Sequence, residues 1–269
     1  MKILLLLALP FFKSAPQDSS GMRITTLPES KMVATFTADT RANRLSFQRN
    51  FDEISYTASM GGIFPILNFN KGKFNSQLSV AGSTYLTLAR QNGAGSVKNV
   101  DFFGDILLDI QLSKLSVLRL GTGHSSQHLS DDAIIAGAPF KNYAKDYHQV
   151  LYILMLKKWG LQAYGGLHYN YNFKTQGDIS GKAMVQLGFE QCPFAKRNYL
   201  RNLYYGCDLK LREEHNYATT FNFQFGYKMV NQNGKALRIA IDYTEGIDER
   251  GYYQPTNRNF AHMGIYFDF

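Results

Sequence analysis

The sequence predicts an all-β chain that closes into an antiparallel transmembrane barrel of about twelve strands. Three observations predict it. Segments of about ten residues alternate apolar and polar side chains at period two, as a wall with lipid on one side and water on the other requires. The connections between these segments alternate short with long. Aromatic residues are abundant, 20 Phe and 17 Tyr against one Trp in 269 residues, and such rings suit a pleated, half-buried surface.

The chain begins Met1-Lys2 and continues with an apolar run from Ile3 to Phe12. That run is too short to cross a bilayer as a helix, but it has the size of a signal-peptide core. Residues 1–15 are read as a signal peptide, with cleavage near Ala15. Residues 16–43, with Pro16 and Pro28 among mixed polarity, are read as a periplasmic extension, and 44–269 as the barrel. After residue 12 no stretch approaches a membrane helix in apolar length, so helical insertion is excluded.

The expected strands are 44–50, 54–69, 73–90, 100–113, 115–128, 146–159, 160–173, 181–191, 203–214, 218–229, 235–247 and 259–269. Four of them carry the pattern most clearly. In the last, Ala261, Met263, Ile265, Phe267 and Phe269 oppose His262, Gly264, Tyr266 and Asp268. In 218–229, Thr219, Phe221, Phe223, Phe225 and Tyr227 oppose Thr220, Asn222, Gln224, Gly226 and Lys228. In 101–112, Phe102, Ile106, Leu108, Ile110 and Leu112 oppose Asp101, Asp105, Asp109 and Gln111. In 161–173, Leu161, Ala163, Leu167, Tyr169, Tyr171 and Phe173 oppose Gln162, His168, Asn170 and Asn172. A soluble β-sandwich is the rival reading, but it hides its aromatic face in a core and needs neither a signal peptide nor alternating loop lengths.

In such barrels short periplasmic turns alternate with longer external loops, and the final strand ends in the periplasm. With an even strand count, the turns at 70–72, Lys114, Trp159/Gly160 and 231–235 become periplasmic, and 91–99, 129–145 and 248–258 external. The long 192–202 connection is the misfit. Terminal Phe269 is the feature that outer-membrane assembly machinery is expected to read. Cys192 and Cys207 are too few for a disulfide framework. Two free thiols are favoured, with a single bridge left open. The formal charge of +8 comes without a Lys/Arg block or a nucleic-acid module, so nucleic acid is not expected. Outer-membrane lipids and lipopolysaccharide phosphates are the expected partners, while the sequence leaves the oligomeric state open.

Two polar groups carry candidate chemistry. The first runs from Gly123 to Asp132 at the external end of the fifth strand. There His124, Ser126 and His128 share a parity with Leu118 and Leu120 and point outward. A His two residues from a Ser can serve as base to a nucleophile. The pair is similar to the His-x-Ser dyad of lipid A deacylases, with Asp131 or Asp132 as orienting acid if the chain bends back. No metal or cofactor is expected, since His124 and His128 lie roughly 13 Å apart on an extended strand. The bland reading is polar residues at a membrane boundary.

The second group is Asp208, Lys210, Arg212 and Glu214, followed by His215 and with Glu213 between. These side chains share the lumenal parity, and with Asp105, Asp109, Arg238 and Asp242 they predict a lumen filled by paired charges. A selective pore or ligand site is the functional alternative.

Three stretches resemble the bacterial outer-membrane family known as domain of unknown function 1207. Ala38-Asp39-Thr40-Arg41, before Leu45-Ser46-Phe47, resembles its leading Ala-Asp-Pro-Arg segment, with Thr40 in place of Pro. His124 to Asp132 resembles its His-x-Ser-x-His-Leu-Gly-Asp-Glu stretch, with Ser130 for Gly and Asp132 for Glu. Gly206 to His215 resembles its Gly-x-Asp-x-Lys-x-Arg-Glu-Glu region. The resemblance runs from about residue 38 to the end, and it implies a barrel without implying an activity. Three functions stay open: a structural or solute-passing barrel, an outer-leaflet acyl-ester hydrolase, and a receptor or scaffold acting through 129–145 and 248–258.

Overall fold

A computed structural model of the chain describes residues 21–51, 55–91, 94–137, 143–175, 181–191, 202–231, 235–249 and 256–268. The expected signal peptide, Cys192, the 192–201 connection and Phe269 lie outside these residues. The strands are β1 (Arg23–Thr26), β2 (Leu45–Asn50), β3 (Ser55–Lys71), β4 (Phe74–Gln91), β5 (Ala94–Gln111), β6 (Ser116–Leu129), β7 (Tyr143–Leu156), β8 (Leu161–Thr175), β9 (Ala183–Gln191), β10 (Leu203–Arg212), β11 (Ala218–Val230), β12 (Ala236–Ile247) and β13 (Asn257–Asp268). A short helix α1 (Asp131–Ile135) follows β6.

Strands β2 to β13 form a closed antiparallel barrel, because β2 pairs with β13 and β3 pairs with both β2 and β4. β12 displays the governing pattern. Arg238, Ala240, Asp242 and Thr244 are buried in the lumen, while Ile239, Ile241 and Tyr243 are exposed on the outside. The same parity exposes Phe221, Phe223 and Phe225 on β11 and Met263, Ile265 and Phe267 on β13. The interior is polar and the exterior apolar, the reverse of a soluble core.

β2 is short. It covers β3 only from Tyr56 to Ser59, and β1 takes up the same edge farther along, from Leu67 to Asn70. Pro65, which has no N–H to donate, lies between these two pairings at a bulge in β3, where its missing donor costs least.

Two expectations about the wall change. The expected external loop 91–99 is mostly strand, with β4 and β5 running to Gln91 and from Ala94, because the pairing of Thr87 with Asn99 and Leu88 with Val97 absorbs one irregular step. The alternation expected for 168–172 also breaks. A bulge pairs Asp146 with Asn172 but Tyr147 with Asn170, so Asn172 turns outward while Asn170 lines the interior. An extra residue in one strand reverses the facing of everything beyond it.

Cys207 is a free thiol, half-buried on the outward parity.

Candidate functional site

Part of the segment expected beside the barrel enters it. Val33, Phe36, Thr37, Ala38, Ala42 and Arg44 are all buried. Val33 and Phe36 pack against Val117, Leu151, Ile153 and Tyr164 of the wall, and Phe36 stacks on Tyr164 with ring centroids 3.8 Å apart. Each such side chain withdrawn from water contributes about 1.5–3 kcal/mol, a reason for an otherwise polar segment to stay inside.

The segment reverses at Asp39-Thr40-Arg41-Ala42. The Ala42 amide donates to the Asp39 carbonyl, and the Arg41 amide donates to Asp39 Oδ1 at 2.9 Å. Thr40 occupies the second position of this turn, where Pro is favoured but not required, and its hydroxyl donates to Glu249.

Charged side chains then hold the tip. Lys210 Nζ pairs with Asp39, with Glu249 at 3.0 Å and with Asp208 at 3.5 Å. Arg212 pairs with Glu249, and Lys145 with Glu214 at 2.6 Å. Arg41 reaches Asp101 at 3.1 Å, and Asn43 donates to Asp105 at 3.0 Å. Arg212 Nε also lies 4.0 Å from Glu214, so of the predicted lumenal residues Asp208, Lys210, Arg212 and Glu214 join one network. Asp109 is held apart by a two-pronged bond to Arg119, and Asp105 also accepts from Tyr147.

Arg238 lies near the start of β12, and Asp242 midway along it. Arg238 grips Asp268, and Asp242 accepts from Tyr266. Glu213 instead accepts the amides of Lys182 and Ala183, both at 2.9 Å, and these bonds hold its carboxyl below the usual range. His215 sits 3.6 Å from Glu214, and burial lowers its imidazole. A cavity of about 160 Å³ remains between the segment and the wall, bordered by Asp39, Arg41, Tyr147, His168, Lys210 and Glu249.

Burial alone would raise the carboxyls of Asp39 and Glu249, but neighbouring Lys210 overrides it and both end below their ordinary values. A carboxyl depressed in the folded state adds stability above its unfolded pKa, which is lost as pH falls through the folded value. Hydrogen-exchange protection of amides 33–44 is therefore expected to weaken before that of the wall strands as pH drops below about 4. Protection that fell equally in both would count against this ordering.

The outward group is arranged differently from expectation. Ser130 is the N-cap of α1: its φ is −75° and its hydroxyl accepts from the Ala133 amide at 3.1 Å. The position has no need of the positive φ that Gly would allow, so Ser130 in place of Gly is accounted for. Asp131 and Asp132 form the exposed first turn of that helix, and the acid beside His124 is Asp146. His124 Nδ1 lies 2.6 Å from Asp146 Oδ1, and Asn172 Nδ2 donates to Asp146 Oδ2 at 2.6 Å. Register produces this contact, since His124 pairs directly with Asp146 and Asp146 with Asn172. Ser126 lies two residues along the same strand, opposite Ala144 and Phe102. His128 is exposed and meets the Phe102 ring at 5.9 Å.

Solved structures similar to this chain share its barrel. An active-site variant of outer membrane phospholipase A from Escherichia coli matches with a TM-score of 0.54 at 12% identity, over 88% of this chain and 92% of that one. The calcium-bound dimer of the Salmonella typhi outer membrane phospholipase matches with a TM-score of 0.51 at 11% identity, over 84% and 89%. At such identity the likeness establishes the fold alone. No curated protein matches the chain. The pattern of the family described as Protein of unknown function (DUF1207) spans residues 13–269, nearly the whole chain, and this protein belongs to that family.

Proposed function

We propose that the chain is a barrel of the bacterial outer membrane whose charged lumen is stoppered by its own N-terminal segment, and that solute passes only when the segment moves. The observation that carries this reading is the seating of residues 33–44 inside the wall through Lys210, Asp101 and Asp105. The apolar outer band supports a place among outer-membrane lipids and lipopolysaccharide, with delivery by a signal peptide and the assembly machinery. In planar bilayers the full chain is expected to stay mostly silent, and a variant lacking residues 33–43 to conduct steadily. Equal silence from both would end the proposal.

A second reading is favoured by the contact between His124 and Asp146: an acyl-ester hydrolase on the outer wall, with Ser126 as nucleophile and His124 as base. The barrel's likeness to outer membrane phospholipases suits this reading but does not carry it. Lipid from cells making the protein should lose an acyl chain, and Ser126→Ala should restore it. Unchanged lipid mass spectra would remove this second reading.

A further inference from the structure

Resting on the hydrolase reading, we infer that Asp146 and Asn172 are the positioning residues of a site on the outer wall, and that Gly104 opens the place where the substrate's acyl chain lies. Gly104, His124, Asp146 and Asn172 stand directly opposite one another on β5, β6, β7 and β8. They make one row across the outside of four strands.

The row has a direction. An ionised carboxylate only accepts hydrogen bonds, so the imidazole nitrogen facing Asp146 must carry a proton. Nδ1 is that nitrogen. The neutral ring therefore keeps its lone pair on Nε2, the nitrogen left to take a proton from Ser126. Asn172 occupies the second oxygen of Asp146, which stops the carboxylate from rotating away, as outer partners of functional histidines commonly do. The strand bulge is what makes Asn172 available, because without it this side chain would face the lumen.

Polar residues on a lipid-facing wall are costly and call for a reason. Asp146 shares its parity with Val150 and Tyr152, whose side chains are exposed on the outside. On the other side of His124, a side chain at Gly104 would meet nothing within 4 Å. The notch is bordered along β5 by Phe102 and Ile106, exposed at 45% and 54%. An apolar notch beside a base and a hydroxyl fits a carboxylic ester whose acyl chain lies along the barrel wall, as a glycerophospholipid or an acylated saccharide lipid presents it.

The reaction balances with water as the only co-reactant. Ser126 Oγ attacks the acyl carbonyl while His124 Nε2 takes its proton and passes it to the departing alcohol oxygen, leaving an acyl-serine and a lyso-lipid. Water then gives one proton to His124 Nε2 while its oxygen bonds the acyl carbon, and His124 passes that proton to Ser126 Oγ as the Oγ–acyl bond breaks, which releases a fatty acid and restores both residues. Asp146 takes up no proton and holds the imidazole throughout.

The test uses the full-length protein in detergent micelles. Reaction of Ser126 with an alkyl fluorophosphonate is read by mass spectrometry, and fatty-acid release is measured separately from phosphatidylethanolamine and from lipid A. Ser126→Ala should lose both signals. Asp146→Ala should slow turnover about 10²- to 10⁴-fold with KM little changed, and Asp146→Asn, which keeps a carbonyl to accept from Nδ1–H, should recover at least about tenfold of that loss. Asn172→Ala should cost about tenfold. Gly104→Leu should raise KM for long acyl chains while a methyl fluorophosphonate still labels Ser126.

If the wild type labels Ser126 and Asp146→Ala labels it equally fast, the positioning role is overturned and the hydrolase reading stands. If Gly104→Leu leaves KM unchanged, the notch is not the acyl site. If the wild type neither labels nor releases fatty acid from either lipid, the hydrolase reading fails and takes this inference with it.

Discussion

Lys210→Ala is expected to unseat the lumenal segment and to cost about 3–5 kcal/mol, the usual loss when one partner of a buried ionic cluster is removed. Lys210 is 3% exposed, and Asp39, Glu249 and Asp208 all lie within ion-pair distance of its ammonium. Taking it away leaves three carboxyls crowded in a nearly closed space without the ammonium that all three share. They must then take up protons, draw in water or push the tip of the segment out. The melting temperature in micelles should fall, and amides 33–44 should exchange faster. Because the charges act together, the Lys210→Ala and Asp39→Ala losses should not add. An unchanged melting temperature would mean that the cluster contributes nothing to holding the segment.

Arg238→Ala is the second large effect, of similar size but at the opposite end of the barrel. The guanidinium is fully buried. It forks onto Asp268 with Nε at 3.0 Å and Nη2 at 3.0 Å, donates Nη1 to the Tyr204 hydroxyl at 3.1 Å, and lies 4.8 Å from the centre of the Tyr266 ring. Asp268 and Tyr266 belong to the last strand, and Tyr204 to β10, so one side chain on β12 ties the closing strand to β10, two places from β12 in the sheet. Arg238→Lys should not rescue it, because an ammonium cannot make two parallel bonds to a carboxylate or lie flat against a ring. Resistance to heat unfolding, read by gel migration, should drop in both variants. Full recovery by Lys would show that charge alone matters there.

Nearly all of the wall is legible in the sequence, and the reason is physical. Two solvents with opposite preferences impose period two on every strand, so Phe221, Phe223 and Phe225 separate from Thr220, Asn222 and Gln224 without knowledge of any contact. Where the backbone gains a residue, that inference fails, and Asn172 stands on the opposite face from the one strict alternation gives it for this reason.

The lumenal segment is harder to read. Its residues meet an apolar cluster at Val33 and Phe36 and charged wall at Asp39 and Arg41, which sets no period, and its partners lie far away in sequence: Asp39 with Lys210, Phe36 with Tyr164. Glu249 gives no signal either, since it stands where an external loop is expected. Asp146 does leave a trace. A carboxylate on the same parity as Val150 and Tyr152 is anomalous on a lipid-facing strand, and the residue pattern alone displays that anomaly. Its register against His124 is another matter, because the intervening 129–145 stretch has no fixed length of extension.

β1 and β2 both grip the same strand, β3, at separate places, and the residues between them make the lumenal excursion. That excursion is a closed loop stapled to the wall at each base. It can swing aside but cannot diffuse away, so its local concentration at its own seat is of roughly millimolar order, as for short intramolecular links. If solute passes as proposed, one that competes for Lys210 and Arg41 meets a resident that never departs, and each opening should be brief and self-resealing.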